Sequence, residues 1–175
     1  MNRLLICALL SVSLISCKKL NKLTQFEIEY SNTAIIPSST GINLPFVFVT
    51  PEKETNSETT FEINDTRKDK IQQIMLTDLE LDVTSPNSED FSFLKSIKIY
   101  LNADGLDEIL LAWKDPVPES TSTILILECT NADMQEYIKK DQFTLRVNAV
   151  TDEIISQDHE LSIFSKYFVD AKIVN

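Results

Sequence analysis

At 175 residues, 43% of them hydrophobic, the chain is long enough to bury roughly 68–70% of its unfolded surface around one core. Its 27 Asp and Glu against 16 Lys and Arg give a formal charge of −11. That balance argues against nucleic acid, whose phosphates need a basic patch to displace counterions, and against wide contact with an anionic membrane face.

Asn2 and Arg3 precede an almost wholly apolar or small run from Leu4 to Leu14, the pattern of a secretory signal. The run is about 11 residues long, against the roughly 20 that cross a bilayer as a helix. No later segment approaches that length. The run ends in Leu14-Ile15-Ser16-Cys17, and this quartet resembles the lipobox of bacterial lipoprotein signals. The resemblance implies cleavage between Ser16 and Cys17, diacylation of the Cys17 thiol and acylation of the new amino group. Loss of residues 1–16 removes Arg3 and takes the formal charge from −11 to −12. Two or three acyl chains, at about 0.8 kcal/mol per buried CH₂, suffice for stable anchoring. Cys7 leaves with the signal and Cys17 is consumed as a thioether, so Cys129 has no intramolecular partner.

Residues 17–24 read as a lipidated tether, too short and polar to fold alone. Lys18, Lys19 and Lys22 gather there, and each gains on the order of 1 kcal/mol from anionic headgroups or serves as a solvated cation. In lipoprotein sorting, Asp after the Cys favours the inner membrane; Lys18 implies the outer membrane instead. In style the chain resembles small envelope lipoproteins of the Bacteroidota. In those, surface export goes with acidic residues after the Cys, and Lys18-Lys19-Leu20-Asn21-Lys22 departs from that pattern. The expectation is a periplasm-facing anchor, with the cell surface as the alternative.

From residue 25 onward, period-two alternation dominates. Phe26, Ile28 and Tyr30 alternate with Glu27 and Glu29, and Leu44 to Thr50 is a second strand bracketed by Pro45 and Pro51. Thr50 to Thr60 reads as a polar loop, and Phe61 with Ile63 as a short strand. Lys68 to Met75 follows the capping run Asn64-Asp65-Thr66 and places Ile71, Ile74 and Met75 at helical spacing, predicting a helix of two turns at most. Strands follow at Leu79–Val83 and Ile97–Leu101. Ile109 to Trp113 and Ile124 to Leu127 are denser in apolar residues, as in central strands covered on both faces. Asp133 to Lys140 predicts a second short helix, with Met134, Tyr137 and Ile138 on one face and Lys139-Lys140 at its end. Phe143–Ala149, Leu161 with Ile163, and Phe168–Val174 close the series. Turns fall at Ser85-Pro86-Asn87-Ser88, Asn102-Ala103-Asp104-Gly105 and Asp115-Pro116-Val117-Pro118. The expected fold is one all-β domain over residues 25–175, an immunoglobulin-like β-sandwich of about nine strands with one or two short crossover helices.

Catalytic chemistry has little material. His159 is the only histidine, so any nucleophilic arrangement must use it, and Ser156, Asp158, Glu160 and Ser162 neighbour it in sequence only. Its parity with Leu161 and Ile163 predicts a strand-edge or half-buried structural role. His159 and Cys129 cannot assemble a zinc site without carboxylates supplying the remaining ligands. Cys129, with no basic neighbour to lower its pKa, reads as a small hydrophobe at a strand end. The functional alternative is a redox thiol or an intermolecular disulfide. Asp104, Asp107 and Glu108, and Asp152 with Glu153, lack the spacing of an EF-hand and read as solvated turn carboxylates. Trp113, Phe46, Phe48, Tyr100, Tyr137, Tyr167 and Phe168 are the material for a glycan platform, although core packing is the usual fate of such residues.

No catalytic residue, metal or cofactor is assigned. The expected function is a non-enzymatic, lipid-anchored binding or structural module for a protein or envelope component, its acidity favouring a basic partner. The alternatives are a carbohydrate-active or other hydrolase using paired carboxylates, marked by a carboxylate cleft beside an exposed Trp113, and an acidic inhibitor or immunity-type protein, marked by a discrete acidic face.

Overall fold

The computed structural model describes residues 24–38, 42–87, 89–119 and 122–172. Alternation dictates its architecture. In β1 (Gln25–Ile36) the even-numbered side chains from Ile28 to Ile36 are buried and the odd-numbered ones exposed. β9 (Gln142–Thr151) and β10 (His159–Ala171) alternate in the same way. Strands with one apolar face must bury it against another sheet, and two antiparallel sheets do so here. The four-stranded sheet, sheet A, runs β1-β10-β4-β7, with β4 at Ile71–Ser85 and β7 at Ile124–Ile126. The larger sheet, sheet B, runs β2-β9-β5-β6-β8, with β2 at Pro45–Val49, β5 at Leu94–Asn102, β6 at Ile109–Lys114 and β8 at Glu128–Cys129. β3 (Lys53–Glu54) also pairs with β9. The expected all-β sandwich is present, with ten strands among the described residues against an expected nine or so.

One core fills the space between the sheets. Tyr30, Leu79, Leu81, Ile163, Tyr167 and Val169 of sheet A meet Ile97, Ile99, Leu101, Phe143, Leu145 and Val147 of sheet B within it. Tyr30 contacts the rings of Phe143 and Tyr167 edge to face, at 5.2 and 5.8 Å between centroids. A polar tie closes the side next to β1. The Thr50 hydroxyl accepts the Leu145 N–H at 3.0 Å and the Asn32 amide at 3.5 Å, and the Tyr30 hydroxyl donates to the Thr55 carbonyl at 2.9 Å.

Several elements differ from the sequence expectation. The Phe61–Ile63 strand is instead part of a helix, α1 (Ser57–Ile63), inside the stretch expected to be polar loop and strand. Ser57 and Phe61, four apart, both face inward, Phe61 meets Phe26 edge to face, and Ile63 is 77% exposed. The helix expected over Lys68–Met75 is a single 3-10 turn, Lys68–Lys70, followed by β4. Register shifts against β10 fall between Asp170 and Ala171 and between Lys166 and Tyr167. Each inserts an extra residue into β4, so buried positions three apart, Ile71 to Ile74 and Leu76 to Leu79, mimic a helical period.

Ile124–Ile126 is an edge strand, not a central one: among the described residues it pairs with β4 alone and leaves Ile124 and Ile126 exposed. β6 pairs on one side with β5 and on the other with the two-residue β8. The second expected helix is the single turn α2 (Gln135–Ile138). Asp133, rather than Thr130 or Asn131, accepts N–H groups there, from Gln135 at 3.0 Å and from Ile74 at 3.1 Å. Leu161, Ile163 and Phe168 belong to the one strand β10.

Candidate functional site

The lipidation and cleavage positions Cys17 and Ser16, and Lys18, Lys19 and Lys22, lie outside the described residues. Thr24, assigned to the tether, already belongs to the sheet margin: its carbonyl accepts the Ala171 N–H at 2.9 Å. No helix among the described residues is long and apolar enough to cross a membrane.

His159 is more deeply buried than its expected edge position, 2% exposed at the start of β10 with its ring 4.5 Å from that of Phe93. Nδ1 lies 3.0 Å from the Gln157 carbonyl, which fits Nδ1–H as the donor, and Nε2 has no hydrogen-bond partner among the described residues and stands 3.8 Å from the Glu89 carboxylate. Asp158 and Glu160 are exposed, Asp158 accepting the Ser38 N–H at 2.8 Å. The neighbours of His159 in sequence are therefore not brought together around it. Cys129 is half-buried and free at the end of β8. Burial, reinforced by the Asp78 carboxylate, pushes its thiol pKa up, the reverse of a reactive thiolate.

Glu108 is exposed beside the Gly105 turn, as expected of a turn carboxylate, but it is paired. Arg146 holds it through a two-pronged contact, Nε and one terminal nitrogen each 2.6 Å from a carboxylate oxygen, and that hydrogen bonding keeps the Glu108 pKa below the usual range. The same guanidinium lies 4.1 Å over the Tyr100 ring. Asp104 and Asp107 are exposed beside the Gly105 turn, where φ is +71°, and the Asp107 carbonyl accepts the Tyr137 hydroxyl. Asp152 and Glu153 are exposed in the turn after β9.

The aromatic residues do not form one platform. Tyr167 and Tyr137 are buried, Phe46 and Phe48 stack on each other at 6.1 Å on the half-buried side of β2, and Phe168 lies on sheet A. Burial drives the phenol pKa of both Tyr30 and Tyr167 well above its ordinary value. Trp113 is half-buried in place of a core position, flanked across β6 by exposed Lys98 and Glu128 on the outer face of sheet B.

What the sequence reading did not locate is the outer face of sheet A. β1 places Glu27 and Glu29 there, β4 adds Asp78, Glu80 and Asp82, and β10 adds Glu160 and Asp170. The only Lys or Arg in these strands is Lys166, which lies 3.8 Å from Glu27 and 3.6 Å from Glu29. Register aligns rows across the sheet: Glu29, Lys166 and Asp78; Ser31, Phe164, Glu80 and Ile126; Thr33, Ser162, Asp82 and Ile124. Half-buried Phe164, Phe168 and Met75 sit between the carboxylates, and exposed Ile124 and Ile126 border them. Chemically the face offers a dense negative field around apolar anchors. The signal for it was present as outward-pointing acids in three strands, but only the strand order β1-β10-β4-β7 brings those strands side by side.

No protein-family model matches the chain, and no curated relative matches it. Among solved structures, one titled Desmodium yellow mottle tymovirus is similar at 9% identity over 86% of this chain and 91% of that one, with a TM-score of 0.22. At that score the likeness carries no further step.

Proposed function

We propose that this chain is a lipid-anchored envelope protein, held by Cys17 at the outer membrane and facing the periplasm, whose sandwich binds a basic protein partner through the outer face of sheet A. The supporting observation is the segregation of Glu27, Glu29, Asp78, Glu80, Asp82, Glu160 and Asp170 onto one sheet face with Lys166 as the single cation in its strands. A one-signed surface raises encounter rates with an oppositely charged partner by 10–10³-fold at low salt, and the apolar side chains between the acids supply contact area that slows dissociation. The function is binding rather than catalysis.

The same face favours an acidic inhibitor or immunity-type role as the second reading, because that role requires a discrete acidic face such as this one. The two readings differ in whether the captured partner loses an activity when bound.

Affinity capture of the tagged, lipidated protein from its own envelope, followed by mass spectrometry, tests the binding role. A basic partner enriched above an unrelated lipoprotein control supports it, and reproducible failure to enrich any partner contradicts it. Replacement Cys17→Ser tests the anchor: the protein is expected to leave the membrane fraction or to stall as its precursor. Normal processing with an unchanged membrane fraction contradicts lipidation.

A further inference from the structure

Sheet B turns toward solvent a face unlike that of sheet A. Register sets its rows: Asn148, Lys98, Trp113 and Glu128 lie side by side across β9, β5, β6 and β8, and the next row holds Arg146, Tyr100 and Leu110. Trp113 is the only tryptophan of the chain. It is half-buried within its row, with the Cβ atoms of its cross-strand neighbours about 4.5–5.5 Å away. A ring so placed offers its apolar body and its N–H to a ligand rather than to the core.

Charge on this face is compensated pair by pair, with one exception. Glu128 lies 3.6 Å from the Lys114 ammonium, and Arg146 holds Glu108 at 2.6 Å. Lys98, exposed beside Trp113, has no ion pair among the described residues. The uncompensated charge next to the tryptophan is therefore positive, on a chain whose formal charge is −11. The Arg146 guanidinium, clamped by Glu108 and laid 4.1 Å over the Tyr100 ring, is fixed in place before any ligand arrives. One row further along the strands, Asn102 pairs with Thr144. With Gln142, Glu52 and Asp104 they line a depression of about 240 Å³, rich in groups that donate and accept hydrogen bonds. A protein hot spot seeks an apolar pocket instead.

We propose that the outer face of sheet B binds an acidic glycan, a sugar chain bearing a carboxylate or a phosphate. A sugar ring has an apolar C–H face and a rim of hydroxyls. The C–H face packs on Trp113, the acidic group meets the Lys98 ammonium, and hydroxyls bond to the Asn148 amide. Arg146 and Tyr100 form a rigid wall beside them. The chain then runs along β5 and β9 to the depression, where the Glu52 and Asp104 carboxylates accept hydroxyls and repel a second acidic group. Charge complementarity thus places the acidic group at the Trp113 end. The site is independent of the acidic face of sheet A, which belongs to the other layer.

Trp113 reports on its own site, since no second tryptophan contributes to the emission. The full lipidated chain in detergent micelles is titrated with oligogalacturonate for the carboxylate, a phosphorylated mannan oligosaccharide for the phosphate, and dextran as the neutral counterpart. A saturable change in tryptophan emission is expected with at least one acidic chain and none with dextran at the same concentrations. Lys98→Gln is expected to weaken the binding by about tenfold or more, as loss of a charge-assisted hydrogen bond does. Trp113→Ala, followed by calorimetry, is expected to abolish it. The exposed Lys98→Gln keeps the test decisive where Trp113→Ala fails to fold, and Glu80→Gln on sheet A is expected to leave glycan binding unchanged. No saturable change with either acidic chain overturns the proposal, as does undiminished affinity in Lys98→Gln. An equal response to dextran or to polyglutamate also overturns it, the latter by assigning the face to an acidic protein. Each of these results leaves the acidic-face reading of sheet A standing.

Discussion

Thr50 is the residue on which the side of the sandwich turns. Its hydroxyl accepts the backbone N–H of Leu145 and the amide of Asn32, and its own N–H continues the β2–β9 ladder. Thr50→Val keeps the volume and removes the acceptor, leaving two buried donors unpaired. A loss of about 1–3 kcal/mol is expected in denaturant unfolding. Glu108 makes a separate prediction about pH. Arg146 holds its carboxyl below the usual range, so the ion pair's stabilisation is complete above the unfolded-state pKa. It is lost as pH falls through the lower folded value. In Arg146→Ala the Glu108 carboxyl is expected to titrate at higher pH, read by carboxyl NMR. An unchanged Glu108 titration would rule out the two-pronged pair in solution.

At the scale of elements, helix α1 gives the sharpest contrast. Phe61 is fully buried and Ile63 is exposed, although they stand two apart and a strand would turn both the same way. Phe61→Ala is expected to cost about 3–5 kcal/mol and Ile63→Ala no more than about 0.5 kcal/mol, measured by denaturant titration; equal losses would restore the strand. Most of the sandwich was legible because alternation is a local signal: Ile28 to Ile36, Ile97 to Leu101 and Phe143 to Ala149 announce their buried face directly. What misled were features set by partners. The extra residues in β4 are registered against β10, and their spacing of three reads as a helix when β10 is not considered. The density of Ile124 to Leu127 suggested a covered strand, but only sheet order shows that β7 lies at an edge. The candidate site was less legible still, since its acids come from strands separated in sequence, and Trp113, raised as a platform residue, lies on the opposite sheet.

For the whole molecule, charge is distributed by layer. The outer face of sheet A is acidic, while that of sheet B mixes Lys98, Glu128, the Arg146–Tyr100 stack and Trp113, and ends at the uncharged strand β2. On the proposed reading, the partner meets the outer face of sheet A and the outer face of sheet B stays free of it. Long-range attraction of this kind is screened beyond about 8 Å at physiological ionic strength, so association with the partner is expected to slow steeply as salt rises. Affinity capture with Glu80→Lys plus Asp82→Lys, two outward substitutions in the middle of the face, compared with wild type at low and high salt, tests whether the acidic face holds the partner. The wild type is expected to retain a basic partner at low salt and to lose it at high salt, and the doubly substituted protein, folded and membrane-bound, is expected to lose it at both. Equal retention by the two proteins at both salt concentrations would contradict the acidic-face reading.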